Sequence, residues 1–341
     1  MVEGRRQRAS ATGLGSWPGR DPAEAIRTIR GELGDPHVPF LPELPDRGVG
    51  SDPVGRTGSL LVELAIDVQP HGWRLVDRPG KDLQRARSLL SSDVNVLADI
   101  AGAEEAPAGE LKIQLLGPMS LAAGLYLHNG ERALLDYGAR RDIAASLAAG
   151  VSEHLARVRA AVPGADIVVQ MDEPDIAAVM AGTISTASGY RTLRSVPREE
   201  VTSAWRLVLE ALKEAGSVET VIAVPEIEAP IERILAAGAD GVAVPLKALT
   251  TRQWEQLAAA VEAGKSVWAG ALPVEAPLPR TAVVVDNIWR PWRQLGLPAA
   301  ALSSLRVTPA AGLAALAPSE AKAVLTKLTH VADGLDQLAQ G

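Results

Sequence analysis

Short runs of apolar and β-branched residues alternate along the chain with longer stretches whose apolar positions recur every three or four residues. The first pattern is typical of buried strands, and the second of helices that pack one face on a sheet. The alternation therefore predicts βα units and an α/β fold with a parallel sheet. Eight strands are predicted, the number in a (β/α)8 TIM barrel: residues 9–15, 37–43, 111–116, 166–170, 218–224, 241–244, 266–269 and 305–308.

Helix starts are marked by capping residues. Asp21 and Pro22 supply an N-cap and a first-turn proline for a helix that would end near Leu33. Similar starts lie at Pro230 and Pro318, and the second of these helices would run to the end of the chain. These boundaries fit helices that each follow a predicted strand.

One connection is too long for an ordinary loop. Residues 46–108 separate predicted strands 2 and 3, and we expect them to form a helical insertion over the barrel. Its helices are predicted around 58–69 and 81–101. Since no repeat or linker interrupts the pattern, residues 9–341 are predicted to form a single barrel domain.

Most predicted strands end in glycine, proline or a polar residue. The carboxyl ends of barrel strands meet on one face, here called the mouth, where active sites lie. The distinctive strand ends are therefore candidates for function: Gly15-Ser16, Glu43, Gly117-Pro118, Asp172-Glu173-Pro174, Pro225-Glu226, Pro245 and Gly270.

Composition narrows the classes of function. The formal net charge of −7 argues against a nucleic-acid partner, and no apolar run is long enough to predict a membrane span. Arg5, Arg6 and Arg8 make residues 1–8 basic, and we expect a disordered tail there on a cytoplasmic protein. The chain has no cysteine, which excludes disulfides and thiolate metal sites.

Asp172 and Glu173 are the leading candidates for chemistry, because they follow an apolar strand and bring two carboxylates to the mouth. Side chains alternate along a strand, so one should face the mouth and the other the supporting structure. The alternative is a carboxylate that caps the next helix, a role also open to Asp175. Gly15 and Ser16 form a turn that lets backbone and hydroxyl approach a bound carboxylate, or else a plain tight turn.

Three segments resemble the cobalamin-independent methionine synthase family. They are residues 12–18 (Thr-Gly-Leu-Gly-Ser-Trp-Pro), residues 168–174 (Val-Val-Gln-Met-Asp-Glu-Pro) and residues 306–313 (Arg-Val-Thr-Pro-Ala-Ala-Gly-Leu). The resemblance spans roughly residues 9–335 and corresponds to a single-barrel form. It implies a TIM barrel that binds a small amino-acid or folate-like ligand at its mouth.

The resemblance also implies roles for individual residues. It assigns Asp172 to the amino group of the substrate and Ser16 to its carboxylate, and it includes Gln170 and Glu173 in the same motif. The loop after the third strand would border a methyl-folate donor through Gly117, Pro118 and Ser120. Glu43 would support the pocket or pair with an arginine such as Arg47.

The family's zinc ligands have no counterpart in this sequence. The family uses His-x-Cys on the fifth strand, an acidic residue on the sixth and a cysteine after the eighth. Here residues 220–226 contain neither histidine nor cysteine, Pro245 ends the sixth strand, and Ala311 replaces the last cysteine. Glu226 and Glu228 alone make a poor zinc site. The five histidines lie away from these strand ends. We therefore predict no zinc cofactor and the loss of zinc-dependent methyl transfer to homocysteine.

Several functions remain open from the sequence. The chain is a candidate pseudoenzyme that keeps a ligand site, or an active methyltransferase that uses 5-methyltetrahydrofolate or a related donor. It could also be a metal-independent enzyme like the uroporphyrinogen decarboxylases of the same superfamily, or a structural partner subunit in an oligomer or with a paralogue. A glycosidase is a remote alternative, because aromatic residues, which would stack on sugar rings, make up only 3% of the chain.

Overall fold

A computed structural model of the chain describes residues 8–105, 108–224 and 230–341. Its strands are β1 (Ser10–Ala11), β2 (Ala65–Gln69), β3 (Gly72–Val76), β4 (Glu110–Leu116), β5 (Leu125–Tyr126), β6 (Asp166–Asp172), β7 (Glu219–Ala223), β8 (Gly241–Pro245), β9 (Ser266–Leu272) and β10 (Arg306–Pro309). Seven of them form a parallel sheet in the order β1-β10-β9-β8-β7-β6-β4. The other three form a small separate sheet in the order β2-β3-β5.

The main sheet curls until both of its edge strands reach residues 38–43. The amide of Leu41 donates to the Lys112 carbonyl in β4 (3.0 Å), and the amide of Glu43 donates to the Gly15 carbonyl (2.9 Å). The amide of Val38 also donates to the carbonyl of Ala11 in β1 (2.9 Å). The fold is therefore α/β with a curled, TIM-barrel-like sheet.

Helices cover the outside of the sheet: α1 (Pro22–Glu32), α2 (Pro53–Gly58), α3 (Lys81–Gly102), α4 (Pro118–Gly124), α5 (Tyr137–Ala161), α6 (Ile176–Ala181), α7 (Arg198–Glu214), α8 (Ile231–Ala236), α9 (Thr251–Glu262), α10 (Thr281–Gln294) and α11 (Pro318–Gln340). The last helix packs on both β1 and α1, so the end of the chain returns to its beginning. None of the helices in the described ranges is long and apolar enough to cross a membrane.

Most of the predicted elements are confirmed, including α1, whose start at Asp21 is capped as expected by a carboxylate that accepts from the amide of Ala23 (2.8 Å). The predicted strands 9–15 and 37–43 are shorter than expected. The first forms a ladder only at its start, and the second makes isolated bridges. Pro39 and Pro42 explain the second case, because proline has no N–H to donate to a ladder.

The segment 46–108 differs most from its prediction. The helix expected at 58–69 is wrong: α2 ends at Gly58, and β2 and β3 pair as an antiparallel hairpin. Pro70 and His71 form the two-residue turn between these strands, and the residue before a proline is disfavoured in a helix. The second predicted helix is confirmed as α3, but it packs between α1 and α5 in the outer helical layer. It does not form a cover for the mouth.

The predicted tail lies mainly outside the described residues. Of residues 1–8, only Arg8 is described, and it is paired: its Nε lies 2.7 Å from Oδ2 of Asp336 in α11. The backbone amide of Ala9 donates to the same carboxylate (2.7 Å). Arg8 therefore belongs to the folded part of the chain.

Burial of His154 in α5 makes stability depend on pH. Burial, and then the charges of Arg56 and Arg157, lower the pKa of His154 to about 3. An unfolded histidine titrates near pH 6.5, so below that pH the unfolded chain takes up a proton that the folded chain excludes. Between roughly pH 6 and pH 4, this proton should lower the free energy of unfolding by about 1.4 kcal/mol for each pH unit of acidification. We expect His154→Gln to abolish this contribution.

Urea denaturation near pH 6 and near pH 4 measures this slope for both proteins. The control is His330→Gln, a substitution on the exposed surface of α11. An equal change of slope in both variants would contradict an effect of burial.

Candidate functional site

A cavity of about 270 Å³ opens at the mouth of the sheet. Three of its lining residues bring side chains that can bind a charged ligand, namely Ser16, Glu43 and Asp172. Ser16 follows β1, Glu43 ends the segment 38–43 and Asp172 ends β6, so strands far apart in sequence converge on one space. Of the residues with a predicted ligand role, these three line the cavity, and the predicted strand-end residues Pro174, Pro245 and Gly270 line it as well.

Asp172 lies above a buried amide and a buried lysine. Nε2 of Gln170 donates to Oδ1 of Asp172 (2.6 Å) and to the carbonyl of Leu14 (2.8 Å). Nζ of Lys112 donates to Oε1 of Gln170 (2.8 Å), and Lys112 is fully buried. Because lysine can only donate, it holds the amide with its nitrogen towards Asp172. Gln170 therefore positions Asp172 from beneath the cavity.

Neighbouring groups shift the pKa of Asp172 in opposite directions. Burial, and then the nearby Glu43, raise the pKa of Asp172, while Lys112 and the hydrogen bond from Gln170 work against that rise. Burial lowers the pKa of Lys112, and Asp172 and Glu43 oppose that shift. A cation that entered the cavity would favour the ionised carboxylates.

Glu43 is held by a chain of buried charges. Nε of Arg56 lies 3.9 Å from its Oε1, and Nη1 of Arg56 lies 2.6 Å from Oδ2 of Asp93 in α3. Glu43 was predicted to support the pocket or to pair with an arginine such as Arg47, and the arginine beside it is Arg56. Arg47 instead binds Asp93 through both of its terminal nitrogens (2.7 Å each). Burial raises the pKa of Glu43, and Arg56 opposes the shift. α3 thus supports the site from the outer layer.

The turn at Gly15 and Ser16 is tightly fitted. Gly15 has φ 136°, and a Cβ on it would lie 2.5 Å from the Gln114 side chain, so only glycine fits. A Cβ on Gly312 would lie 2.3 Å from Oγ of Ser16. The hydroxyl of Ser16 therefore lies at the cavity edge, against the loop that follows β10.

Glu173 points away from the cavity, as strand alternation predicts for one of the two carboxylates. It is fully buried and accepts from the amides of Met119 (3.1 Å) and Ser120 (2.8 Å) and from Nε1 of Trp205 (2.7 Å). Burial raises its pKa, and these donors oppose the rise. A Cβ on Gly117 would lie 2.2 Å from Oε1 of Glu173.

The third-strand loop forms a structural unit with this carboxylate. Gly117 and Pro118 begin α4, and Ser120 Oγ accepts from the amide of Asp175 (3.1 Å). None of the three lines the cavity described above. Their expected contact with a ligand remains a prediction.

The strand ends that would carry zinc in the resembling family are apolar here. β7 ends at Ala223, β8 ends at Val244-Pro245, and Ala310 follows β10; all of them line the cavity. Within the described residues, no three histidine, cysteine, aspartate or glutamate side chains come close enough to hold a metal. The predicted strand end at Pro225-Glu226 and the nearby Glu228 lie outside these residues. The donors present in the described wall do not fit zinc.

Three residues that support the site, Lys112, Arg56 and Asp93, were not predicted from the sequence. Lys112 could have been found, because it lies within a predicted apolar strand and lysine is rarely buried without a partner. Nothing comparable marked Arg56 and Asp93, which are 37 residues apart and meet only in the folded chain.

Two comparisons bear on this site. The family model "Cobalamin-independent synthase, Catalytic domain" matches residues 9–334. Among curated proteins, no match is found.

Solved structures share the fold at low sequence identity. A B12-independent methionine synthase from Shewanella sp. W3-18-1 in complex with selenomethionine is 14% identical, with a TM-score of 0.63 over 97% of this chain and 98% of that one. A methyltransferase from Methanosarcina mazei is 11% identical, with a TM-score of 0.57 over 97% and 94% of the two chains. At these identities the likeness concerns the fold alone.

Proposed function

Because the chain belongs to the cobalamin-independent synthase family, we propose that its mouth cavity binds a small amino-acid or folate-like ligand without zinc. One observation carries the proposal: Ser16, Glu43 and Asp172 line a cavity whose expected metal positions are apolar in the described residues. The protein would then keep the ligand site of the family and lack its zinc-dependent methyl transfer to homocysteine.

An amino acid suits the charges of the cavity. Asp172 and Glu43 are carboxylates that would hold an ammonium group, and the Ser16 hydroxyl would donate to the ligand carboxylate. Gln170 and Arg56 would keep the two protein carboxylates in place. The contacts of Gln170 with Asp172 and of Arg56 with Glu43 exist before the ligand arrives, which lowers the cost of ordering the site on binding.

The size of the cavity favours a ligand of amino-acid size inside it. At about 30 Å³ for each water molecule, the 270 Å³ of the cavity correspond to about nine waters. Drug-sized ligands occupy pockets of roughly 300–1,000 Å³. A folate-like ligand would therefore extend out of the mouth.

The consequence for catalysis follows from thiol chemistry. A free thiol titrates near pH 8.5, so only a few per cent is thiolate at neutrality. A coordinating zinc ion deprotonates a thiol outright. Without metal donors, the described residues of the cavity offer no comparable means of activating homocysteine. This supports a pseudoenzyme or a binding protein over a methionine synthase.

We infer in addition that residues 38–43 act as the second strand of a complete (β/α)8 barrel. Their hydrogen bonds to Ala11 and Gly15 on one side and to Lys112 on the other support this reading. The segment 46–108 would then be an insertion between strands 2 and 3 that also supplies the outer helix α3.

Ligand affinity should rise with pH. Burial raises the pKa of Asp172 to about 8, so part of its carboxyl is protonated in the free protein near neutrality, and an ammonium ligand must displace that proton. Burial also raises the pKa of Glu43, which acts in the same direction. From about pH 8 to about pH 5 we expect the affinity for L-methionine to fall by up to about tenfold per pH unit for each proton displaced.

Isothermal titration calorimetry in two buffers with different ionisation enthalpies measures both the affinity and the protons released. An affinity that is constant over this pH range, with no proton release, would contradict the assignment of the two carboxylates.

Titration of the chelator-treated protein with L-methionine tests the proposed function itself, with D-methionine as the stereochemical control. We expect one L-methionine bound per chain, weaker binding of the D-enantiomer and no methyl transfer from methyl-tetrahydrofolate to homocysteine. If no L-methionine binds, the amino-acid site is wrong. Turnover in the presence of chelator would overturn the predicted loss of activity.

A further inference from the structure

We propose that the cavity selects an α-amino acid with an uncharged, apolar side chain, and that a hydroxyl or a thiolate at the same position weakens binding. This inference rests on the proposed function and names the ligand class for the same site. It follows from the way in which polar and apolar residues divide the cavity.

The apolar side of the cavity is continuous across four neighbouring strands. Ala223 at the end of β7 and Ala243 in β8 are register partners, and both line the cavity. They also belong to a buried apolar cluster with Trp268 in β9. Gly270 in β9 and Ala310 extend the wall to β9 and to the loop after β10. A ligand side chain directed here would meet mainly carbon.

The polar groups lie on the other strands. Ser16 follows β1, Glu43 ends the segment 38–43 and Asp172 ends β6. Among the described lining residues of β7 to β10, Thr308 is the one with a polar side chain, and it is only 1% exposed. The cavity is therefore amphipathic, with a charged half for the amino-acid head group and an apolar half for its side chain.

The apolar half would also disfavour a charged sulfur. A thiolate placed there would lose its hydration without gaining a cationic or metal partner among the described residues, which disfavours its charged form. An alkyl group would lose only contact with water and gain packing. Each buried methylene should strengthen binding by about fourfold.

Three isosteric amino acids test this directly. L-norvaline, L-homocysteine and L-homoserine end their three-atom side chains in a methyl, thiol or hydroxyl group. A buried hydroxyl without a partner is costly, whereas a neutral thiol behaves as a small apolar group. We expect norvaline to bind at least as tightly as homocysteine and about tenfold or more tighter than homoserine.

Calorimetric titration of the full chain with each compound, in chelator and reductant, gives the three dissociation constants. The inference is overturned if homoserine binds as tightly as norvaline, or if homocysteine binds tenfold or more tighter than norvaline. Either result would leave amino-acid binding intact. If L-alanine and all three compounds fail to bind, the proposed function itself fails.

A wall variant provides a second test that does not depend on the choice of ligand. Ala243→Val adds two methyl groups to the apolar side, and we expect it to weaken norvaline binding about tenfold or more while L-alanine keeps its affinity. Ala269→Val is the matched control, because Ala269 in β9 lies between the sheet and the outer helices. Equal losses for alanine and norvaline in Ala243→Val would overturn the placement of the side chain.

Discussion

Asp172→Asn is expected to weaken the binding of L-methionine by about 30-fold or more, since removing one partner of a buried charge pair costs about 2–5 kcal/mol. The substitution keeps the shape of the side chain and an oxygen that can accept from Gln170. It removes only the negative charge that would face the ligand ammonium. Burial already raises the pKa of Asp172, so the free energy of unfolding should stay constant or increase.

Calorimetric titration and urea denaturation of the same variant measure the two quantities. The matched control is Asp166→Asn, the same change at the exposed first residue of β6. We expect Asp166→Asn to leave affinity unaltered. Unchanged affinity in Asp172→Asn would show that this carboxylate does not bind the ligand amine.

Glu173→Gln is expected to lower the free energy of unfolding by about 2–4 kcal/mol, because it places an amide N–H₂ against buried donors. Glu173 accepts from two backbone amides at the start of α4 and from the indole of Trp205. One carboxylate thus joins β6, α4 and α7. A loss of this size is a large part of the stability of an ordinary domain.

Urea denaturation measures this loss, and Glu214→Gln serves as the control because Glu214 is exposed at the end of α7. If the stability of Glu173→Gln matched that of the control, the three hydrogen bonds would contribute little. L-Methionine affinity in the folded variant separates the two carboxylates further. We expect it to change far less than in Asp172→Asn.

Much of this arrangement could be predicted from local sequence. The apolar residues 167–169, followed closely by Asp172 and Glu173, were enough to predict a strand with one carboxylate at the mouth and one in the support. Capping residues predicted the start of α1. These successes rest on interactions between residues that are close together in the chain.

The parts that failed depend on distant partners. The segment that forms the hairpin of β2 and β3 has enough apolar residues to resemble a helix, and the turn at Pro70 and His71 lies just beyond the helix predicted at 58–69. Arg47 was expected to pair with Glu43, but Asp93 of α3 binds it instead. Charged residues far apart in sequence have many possible partners, and packing selects among them.

We propose a ligand site without a zinc centre at the mouth of the sheet. The most direct test is the zinc content of the full chain, purified without chelator, dialysed against zinc and desalted, by mass spectrometry. We predict far less than one zinc per chain in a folded protein that binds L-methionine. One tightly held zinc per chain, with L-methionine binding lost on its removal, would contradict the claim.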